Sequence, residues 1–271
     1  MAQTSSGVSY RVTGTSDLAL VLVHGFACAG ADWARQVADL TDEFCCVTLD
    51  LPGHGTSYRP PAVTLAALGS AVNEVRHEAG LGRVILVGHS LGAKVIREAY
   101  AEQPDSIAGL VLIDGAYYDS DRSTMIARAS SLIDAGGFAA YARAHFAGMF
   151  TARSDPALSA RIIERAARLE PDFGRALYLE AVGWDSLRGK ATLRAITVPV
   201  LVLQSTDLGA SLKRESLEHG MKSSFMQVVE GLVQDAETRV IAGVGHFSMH
   251  EAPDEVSLAL RAFAARVQSR A

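Results

Sequence analysis

Cysteine is scarce in this chain. Cys28, Cys45 and Cys46 are the whole complement, an odd number whose last two members are neighbours on a candidate strand, so a disulfide framework is not expected. Long apolar runs are missing as well. No stretch approaches the ~20 residues that a membrane span needs, and the start, Met1 to Gly7, has neither a basic nor an apolar leader region. A cytoplasmic protein without a membrane partner is the expectation. Positive charge is in deficit, with 25 Lys and Arg against 30 Asp and Glu; a nucleic-acid partner would require a basic face, so none is expected. Gly53-His54-Gly55 lacks the full spacing of a dinucleotide loop, no phosphate-loop lysine pattern occurs, and no Cys/His spacing resembles a zinc site. Neither cofactor nor metal is therefore expected. Internal repeats and low-complexity tracts are also absent.

What is present is apolar material in short, ordered blocks. The 271 residues are 49% hydrophobic, enough for a sizeable core. Ser9 to Gly14, Leu18 to Val23, Phe44 to Leu49, Val84 to Val87, Gly109 to Asp114, Val198 to Leu203 and Thr238 to Ile241 read as strands. Several are continuously apolar rather than alternating, which suits a parallel sheet covered on both faces. Helical patterns fall between them at Asp32 to Leu40, Thr64 to Ala79, Ala93 to Glu102 and Phe225 to Leu232, with Pro253 to Val267 closing the chain. This alternation predicts a doubly wound α/β sheet with right-handed crossovers.

Between Gly115 and Thr197 the strand signal disappears. Helical stretches take its place around Thr124 to Leu132, Phe138 to Met149, Leu158 to Leu169 and Phe173 to Val182. The expected organisation is a core of residues 1–115 and 197–271 carrying an all-helical cap, residues 116–196, inserted after the sixth strand. Aromatics of the cap ordinarily pack it onto the core, and a minority would line a pocket. A charged stretch, Gly209 to Ser224, exceeds the usual strand-to-helix connection. It reads either as a solvated insertion or as part of a pocket rim.

The stretch most specific for chemistry is Gly88-His89-Ser90-Leu91-Gly92, set between an apolar strand and a helix. A serine held at such a turn needs small neighbours, because strand and helix must approach closely. Its hydroxyl is a weak nucleophile and needs a base within hydrogen-bond reach. His246, in Gly243-Val244-Gly245-His246-Phe247 after the last strand, is the best placed of the histidines, with His250 as the fallback. His24, His54 and His89 read as ordering or packing residues.

Together with His24-Gly25 after an early strand and Asp50 to Ser57 after the next, these motifs resemble the α/β-hydrolase superfamily, in its subgroup with a helical cap. The resemblance covers essentially the whole chain and implies an α/β-hydrolase fold and a Ser-His-Asp triad, while naming no substrate. It also implies oxyanion-hole donors at Leu91 and Phe26, with Ala27 as the alternative to the latter. For the triad acid two positions stay open. Relatives commonly place it as G-x-x-D after the seventh strand, where Asp207 follows Gln204-Ser205-Thr206 without the glycine. Others place it at the end of the sixth strand, where Asp114 stands, and Asp114 is preferred here.

The leading expectation is a serine hydrolase that cleaves a small or medium, largely apolar ester, lactone or related carbonyl compound through an acyl-enzyme. Trp33, Trp184, Phe146 and Tyr141 are the candidate substrate-binding residues. A C–C bond hydrolase or a cofactor-independent ring-cleaving dioxygenase on the same fold is the alternative, and a ligand-binding or signalling protein with residual hydrolase activity is a third. The expected partner is the small-molecule substrate, with a homodimer left open.

Overall fold

The computed structural model describes residues 1–208 and 214–270. Its strands are β1 (Ala2–Gln3), β2 (Ser9–Thr13), β3 (Leu18–Val23), β4 (Cys45–Leu49), β5 (Arg83–His89), β6 (Ile107–Ile113), β7 (Val200–Gln204), β8 (Thr206–Leu208), β9 (Arg214–Ser216) and β10 (Ala236–Val240). Eight of them form one sheet in the order β1-β2-β4-β3-β5-β6-β7-β10, while β8 and β9 pair separately. From β4 to β10 the pairing is parallel; β2 joins β4, and β1 joins β2, antiparallel. The α/β-hydrolase fold with a mostly parallel, doubly wound sheet is thus the observed architecture.

Continuous hydrophobicity had the expected cause. Leu18 to Val23, Val84 to Val87 and Leu110 to Ile113 are buried along their length because helices cover both faces. The helices are α1 (Ala34–Leu40), α2 (Leu65–Glu78), α3 (Leu91–Glu102), α4 (Arg122–Asp134), α5 (Gly137–Ala147), α6 (Pro156–Ala167), α7 (Pro171–Trp184), α8 (Lys190–Arg194), α9 (Ser224–Leu232), α10 (Ser248–Glu251) and α11 (Pro253–Gln268). Several starts are set by caps that satisfy otherwise orphaned amides. Thr64 accepts from Ala67 N at 3.1 Å, Asp121 from Thr124 N at 3.0 Å and Asp155 from Ala157 N at 2.9 Å.

Helices α4 to α8 all lie between β6 and β7. Most of their buried apolar residues, among them Phe138, Phe146, Ile162 and Leu177, join the core cluster that contains the sheet. Polar ties add to this: Arg165 makes a two-pronged pair with Asp32 at 2.9 and 2.7 Å. All three cysteines are buried free thiols.

The chain runs from β3 outward to β4 and then returns to place β5 on the other side of β3. That reversal is a topological switch point, outside whose strand ends ligands collect. Register aligns the ends, with Val23 opposite Gly88, His89 opposite Ile113 and Ile113 opposite Leu203. Consequently the loops bearing Phe26, Ser90, Asp114 and Ser205 emerge side by side.

Five short elements escaped the sequence patterns: β1, the β8–β9 hairpin, α10, the π-helical turn Asp185–Gly189 and the five-residue α8 that follows it. Each is too short for a hydrophobic period to register. The stretch Gly209 to Ser224 resolves into part of that hairpin and the approach to α9, with Gly209 to Lys213 outside the described residues. No helix among the described residues is long and apolar enough to cross a membrane.

Candidate active site

Ser90 follows β5 with φ 54° and ψ −113°, a left-handed backbone that costs a non-glycine residue of order 1–3 kcal/mol and that the surroundings must enforce. Enforcement is visible on both sides. The Ser90 amide donates to Ile113 O at 2.8 Å. A Cβ on Gly88 would lie 2.4 Å from Gly92 O, and one on Gly92 would lie 2.4 Å from Val23 O. Only glycine at both positions lets β5, α3 and β3 come this close.

The turn opens into a cavity of about 930 Å³ lined by Ser90, Phe26 and Leu91 on the sheet side and by residues of α4, α5 and α7 on the other. Among the described residues, neither the Leu91 nor the Phe26 amide is used in a backbone hydrogen bond. Ala27 differs: its amide donates to His54 Nε2 at 3.2 Å, so it is already spent. A second hollow, about 540 Å³ and lined by Arg83, Ser106 and Pro199 among others, contains none of these groups.

The His246 peptide unit is held from two directions. Its amide donates to Met149 O at 2.8 Å, and its carbonyl accepts from His89 Nε2 at 2.9 Å. The two imidazole centroids are 4.7 Å apart. His89, inside the elbow, therefore joins the Ser90 turn to the loop that carries His246. Burial pushes the His246 pKa well below its ordinary value, and Arg214, His89 and His145 push in the same direction; the imidazole is neutral at neutral pH. Its Nδ1 is buried without a partner among the described residues. His250 is engaged elsewhere, with Nε2 3.2 Å from Asp32 Oδ1.

The two candidate acids occupy different environments. Asp114 is fully buried at φ 47° and accepts from the amides of Ser205 and Thr206 and from the hydroxyls of Ser205, Thr206 and Ser248. Ser205 Oγ also lies 2.6 Å from Gly245 O and has one proton to share between that carbonyl and Asp114, while Ser248 donates to Asp114 itself, so Asp114 is in contact with the chain on both sides of His246. Burial raises its pKa, opposed by the nearby Arg214 charge and by the Ser205 and Thr206 donors. Asp207 instead accepts from Ser224 N and Oγ at 3.1 and 2.8 Å, at the start of α9. Neither carboxylate has a hydrogen bond to His246 among the described residues. The missing glycine before Asp207 is explained locally, because Ser205 supplies both an amide and a hydroxyl to Asp114.

Of the aromatic residues named from sequence, Tyr141 lines the cavity, and three do not. Trp33 is fully buried in the 3-10 turn Gly30–Trp33 that leads into α1, away from the cavity wall. Trp184 is buried against α3, where its indole N–H donates to Glu98 Oε1 at 2.6 Å and the Arg97 guanidinium lies 4.6 Å from the ring; a buried indole needs such an acceptor, and here it was α3 that provided one. Phe146 stands one layer behind the wall, packed on Phe26 and Phe247 with centroids 6.2 Å from each.

Sequence reasoning passed over Tyr118 and His145, which line the cavity together with Tyr178, one of the cap aromatics, and Arg214, which belongs to the charged stretch read as either a solvated insertion or a pocket rim. Tyr141 and His145 are four apart on α5, a spacing that puts two side chains on one helical face, and their rings stack at 5.4 Å. That periodicity was the available signal.

A family model described as the alpha/beta hydrolase family matches residues 20–259. Among curated proteins, the chain is 33% identical over 109 residues to fluoroacetate dehalogenase of a Burkholderia species, covering 38% of this chain and 36% of that one. It is 30% identical over 116 residues to (E)-2-((N-methylformamido)methylene)succinate hydrolase of Acinetobacter baylyi, covering 42% and 44%. The matched stretch spans less than half the length of these curated relatives. Among solved structures, a thermophilic esterase from Thermogutta terrifontis superposes with a TM-score of 0.78 at 25% identity over 96% of this chain and 93% of that one. The enol-lactonase from Burkholderia xenovorans gives 0.79 at 22% identity over 97% and 99%.

Proposed function

Because the chain belongs to the alpha/beta hydrolase family, we propose that it cleaves an ester, lactone or related carbonyl compound of small or medium size through an acyl-enzyme on Ser90. The observation that carries this reading is the strained Ser90 turn, which opens into a cavity shared with Phe26 and Leu91. Similarity to an esterase and a lactonase in overall fold agrees with it.

In this reading the Ser90 Oγ–H proton passes to His246 Nε2 as Oγ bonds to the substrate carbonyl carbon. The carbonyl oxygen becomes an oxyanion that accepts from the Phe26 and Leu91 amides, an arrangement typically worth about 3–4 kcal/mol per donor. Collapse expels the alkoxide, which takes the proton from His246. Water then repeats the sequence on the acyl-enzyme and releases the acid. His246 is suited to the base role because burial keeps it neutral.

Asp114 is the proposed orienting acid. Catalytic hydrogen bonds are often loose in empty sites and tighten with substrate, and Asp114 is the carboxylate in contact with the chain on either side of the base, through Ser205 towards Gly245 O and through Ser248 two residues beyond His246. Asp207 is occupied by Ser224. The cavity's alanines, Leu132, Met125 and Val182 favour a largely apolar substrate body.

A fluorophosphonate probe tests the nucleophile. A single covalent adduct on Ser90, absent from the Ser90→Ala protein, is expected by mass spectrometry; a folded protein that takes up no label would overturn the reading.

A further inference from the structure

The lining of the cavity is unbalanced in charge. Lys94, Arg128 and Arg214 contribute to it, and no carboxylate does among the described residues. The three cations are not equivalent. Lys94 Nζ is 2.5 Å from Asp185 Oδ2 and also donates to Ala181 O at 3.0 Å, so its charge is answered within the protein. Arg128 is exposed at the α4 end of the cavity. Arg214, the first residue of β9, is partly buried and donates through Nη1 to Thr206 Oγ1 at 2.9 Å.

Asp114 is the carboxylate nearest to Arg214 in effect, yet it does not pair with it directly. Its five donors come from Ser205, Thr206 and Ser248, and no ion pair joins the two among the described residues. Thr206 Oγ1 stands between them, donating to Asp114 Oδ1 at 3.1 Å while accepting from Arg214. A guanidinium has five N–H donors and cannot shed its charge. Burial in a largely apolar wall strengthens its field in the cavity.

The other polar groups of the wall are neutral. Burial and Arg214 lower the His145 pKa to about 4, and burial raises those of Tyr118 and Tyr178, so the phenols remain hydrogen-bond donors. Neutral donors around the partly buried Arg214 guanidinium, with Lys94 already paired to Asp185, Arg128 exposed and no carboxylate in the lining among the described residues, are the chemistry that receives an anionic oxygen group.

We propose that the cavity recognises a carboxylate on the substrate, distant from the scissile carbonyl, and that Arg214 binds it. The preferred substrate class is then a half-ester or lactone acid: an apolar chain with the reacting carbonyl at Ser90 and a carboxylate at its other end. This rests on the hydrolase reading, but binding of the carboxylate does not require turnover.

The test uses the monomethyl esters and dimethyl esters of the straight-chain diacids from succinate to suberate, which match in shape and differ in one charge. Calorimetric titration onto Ser90→Ala protein is expected to show at least one chain length at which the monoester anion binds tenfold or more tighter than the diester. Adding Arg214→Met should remove that preference while leaving diester binding unchanged, and Arg214→Lys should restore part of it. The proposal is overturned if the diester binds as well at every length, if the preference survives Arg214→Met, or if that change weakens both ligand series alike, which would mark Arg214 as a support for Asp114 only. Turnover by the wild type separates the two readings. Selective binding of the anion without hydrolysis of any ester sinks the hydrolase reading alone, and hydrolysis without charge selectivity sinks this one.

Discussion

The two walls of the cavity are built in opposite ways. On the sheet side, backbone does the positioning: Ser90 in the wall and Asp114, buried outside the lining, are both at positive φ, the strand ends are in register, and glycines admit main chain to main chain at distances no Cβ tolerates. On the helical side, side chains of α4, α5, α7 and the hairpin form the surface, with helix interiors of ordinary geometry. A wall made of backbone has one workable shape, whereas a wall made of side chains accepts substitution. In the proposed function, reaction chemistry belongs to the first and substrate choice to the second.

The sharpest way to break that division is through the acids, both of which leave neighbouring strand ends on the sheet side. Asp114→Asn is expected to lower kcat about 10⁴-fold, the loss typical of a triad carboxylate, with folding retained by circular dichroism. Asp207→Asn should stay within a few-fold and cost chiefly a tie to the start of α9. Equal losses, or the reverse order, would show that position in the fold rather than its bonded neighbours selects the acid. If Ser90→Ala retained activity with oxygen uptake, chemistry at this wall would be of the ring-cleaving kind.

One added methyl sharpens the comparison next. Gly92→Ala brings a Cβ to 2.4 Å from Val23 O and 2.8 Å from His24 O, and overpacking of this kind costs about 1–3 kcal/mol. A fall of several degrees in Tm is expected, together with loss of activity. Gly136→Ala, on the helical side, meets nothing closer than Ala140 Cβ at 3.4 Å and faces the cavity. Its Tm should move little while chain-length selectivity narrows.

The smallest expected effect is in the pH profile. Burial disfavours protonation of His246 most, and Arg214, His89 and His145 act in the same direction, while the His89 and His145 pKa values are themselves lowered to about 3 and about 4. Because the base must be unprotonated, the acid limb of kcat/KM should lie well below pH 6.5. Removing the Arg214 charge favours the imidazolium, so Arg214→Met should move that limb upward. A wild-type limb at 6.5 or above would show an imidazole exposed to water.

The asymmetry of the walls also decides how much was legible in the sequence. The apolar blocks of the central strands and the Gly88 and Gly92 spacing are local signals, since burial on both faces and close backbone approach each restrict residue type directly. The helical wall has no such signal. Trp33, Trp184 and Phe146 are as apolar as any cavity residue, and what removed them from the lining was direction: an indole satisfied by Glu98, a turn running into α1, a ring one layer too deep. Asp114 and Asp207 could not be separated by spacing because both end strands; they differ in what surrounds them, Ser205 and Ser248 for one and Ser224 for the other. Arg214 fell within the stretch read as insertion or rim, and was not singled out there because its hairpin strands are only three residues long.

The clamp on His246 has a mechanical meaning. Its amide hangs from Met149, just past the end of α5, and its carbonyl from the elbow, so the proposed general base is a shared node between insertion and sheet. An excision of residues 116–196 that left the sheet whole would still unhook the imidazole, and turnover would be lost even for esters too small to touch the wall. The insertion is in this sense a part of the engine, as well as its casing.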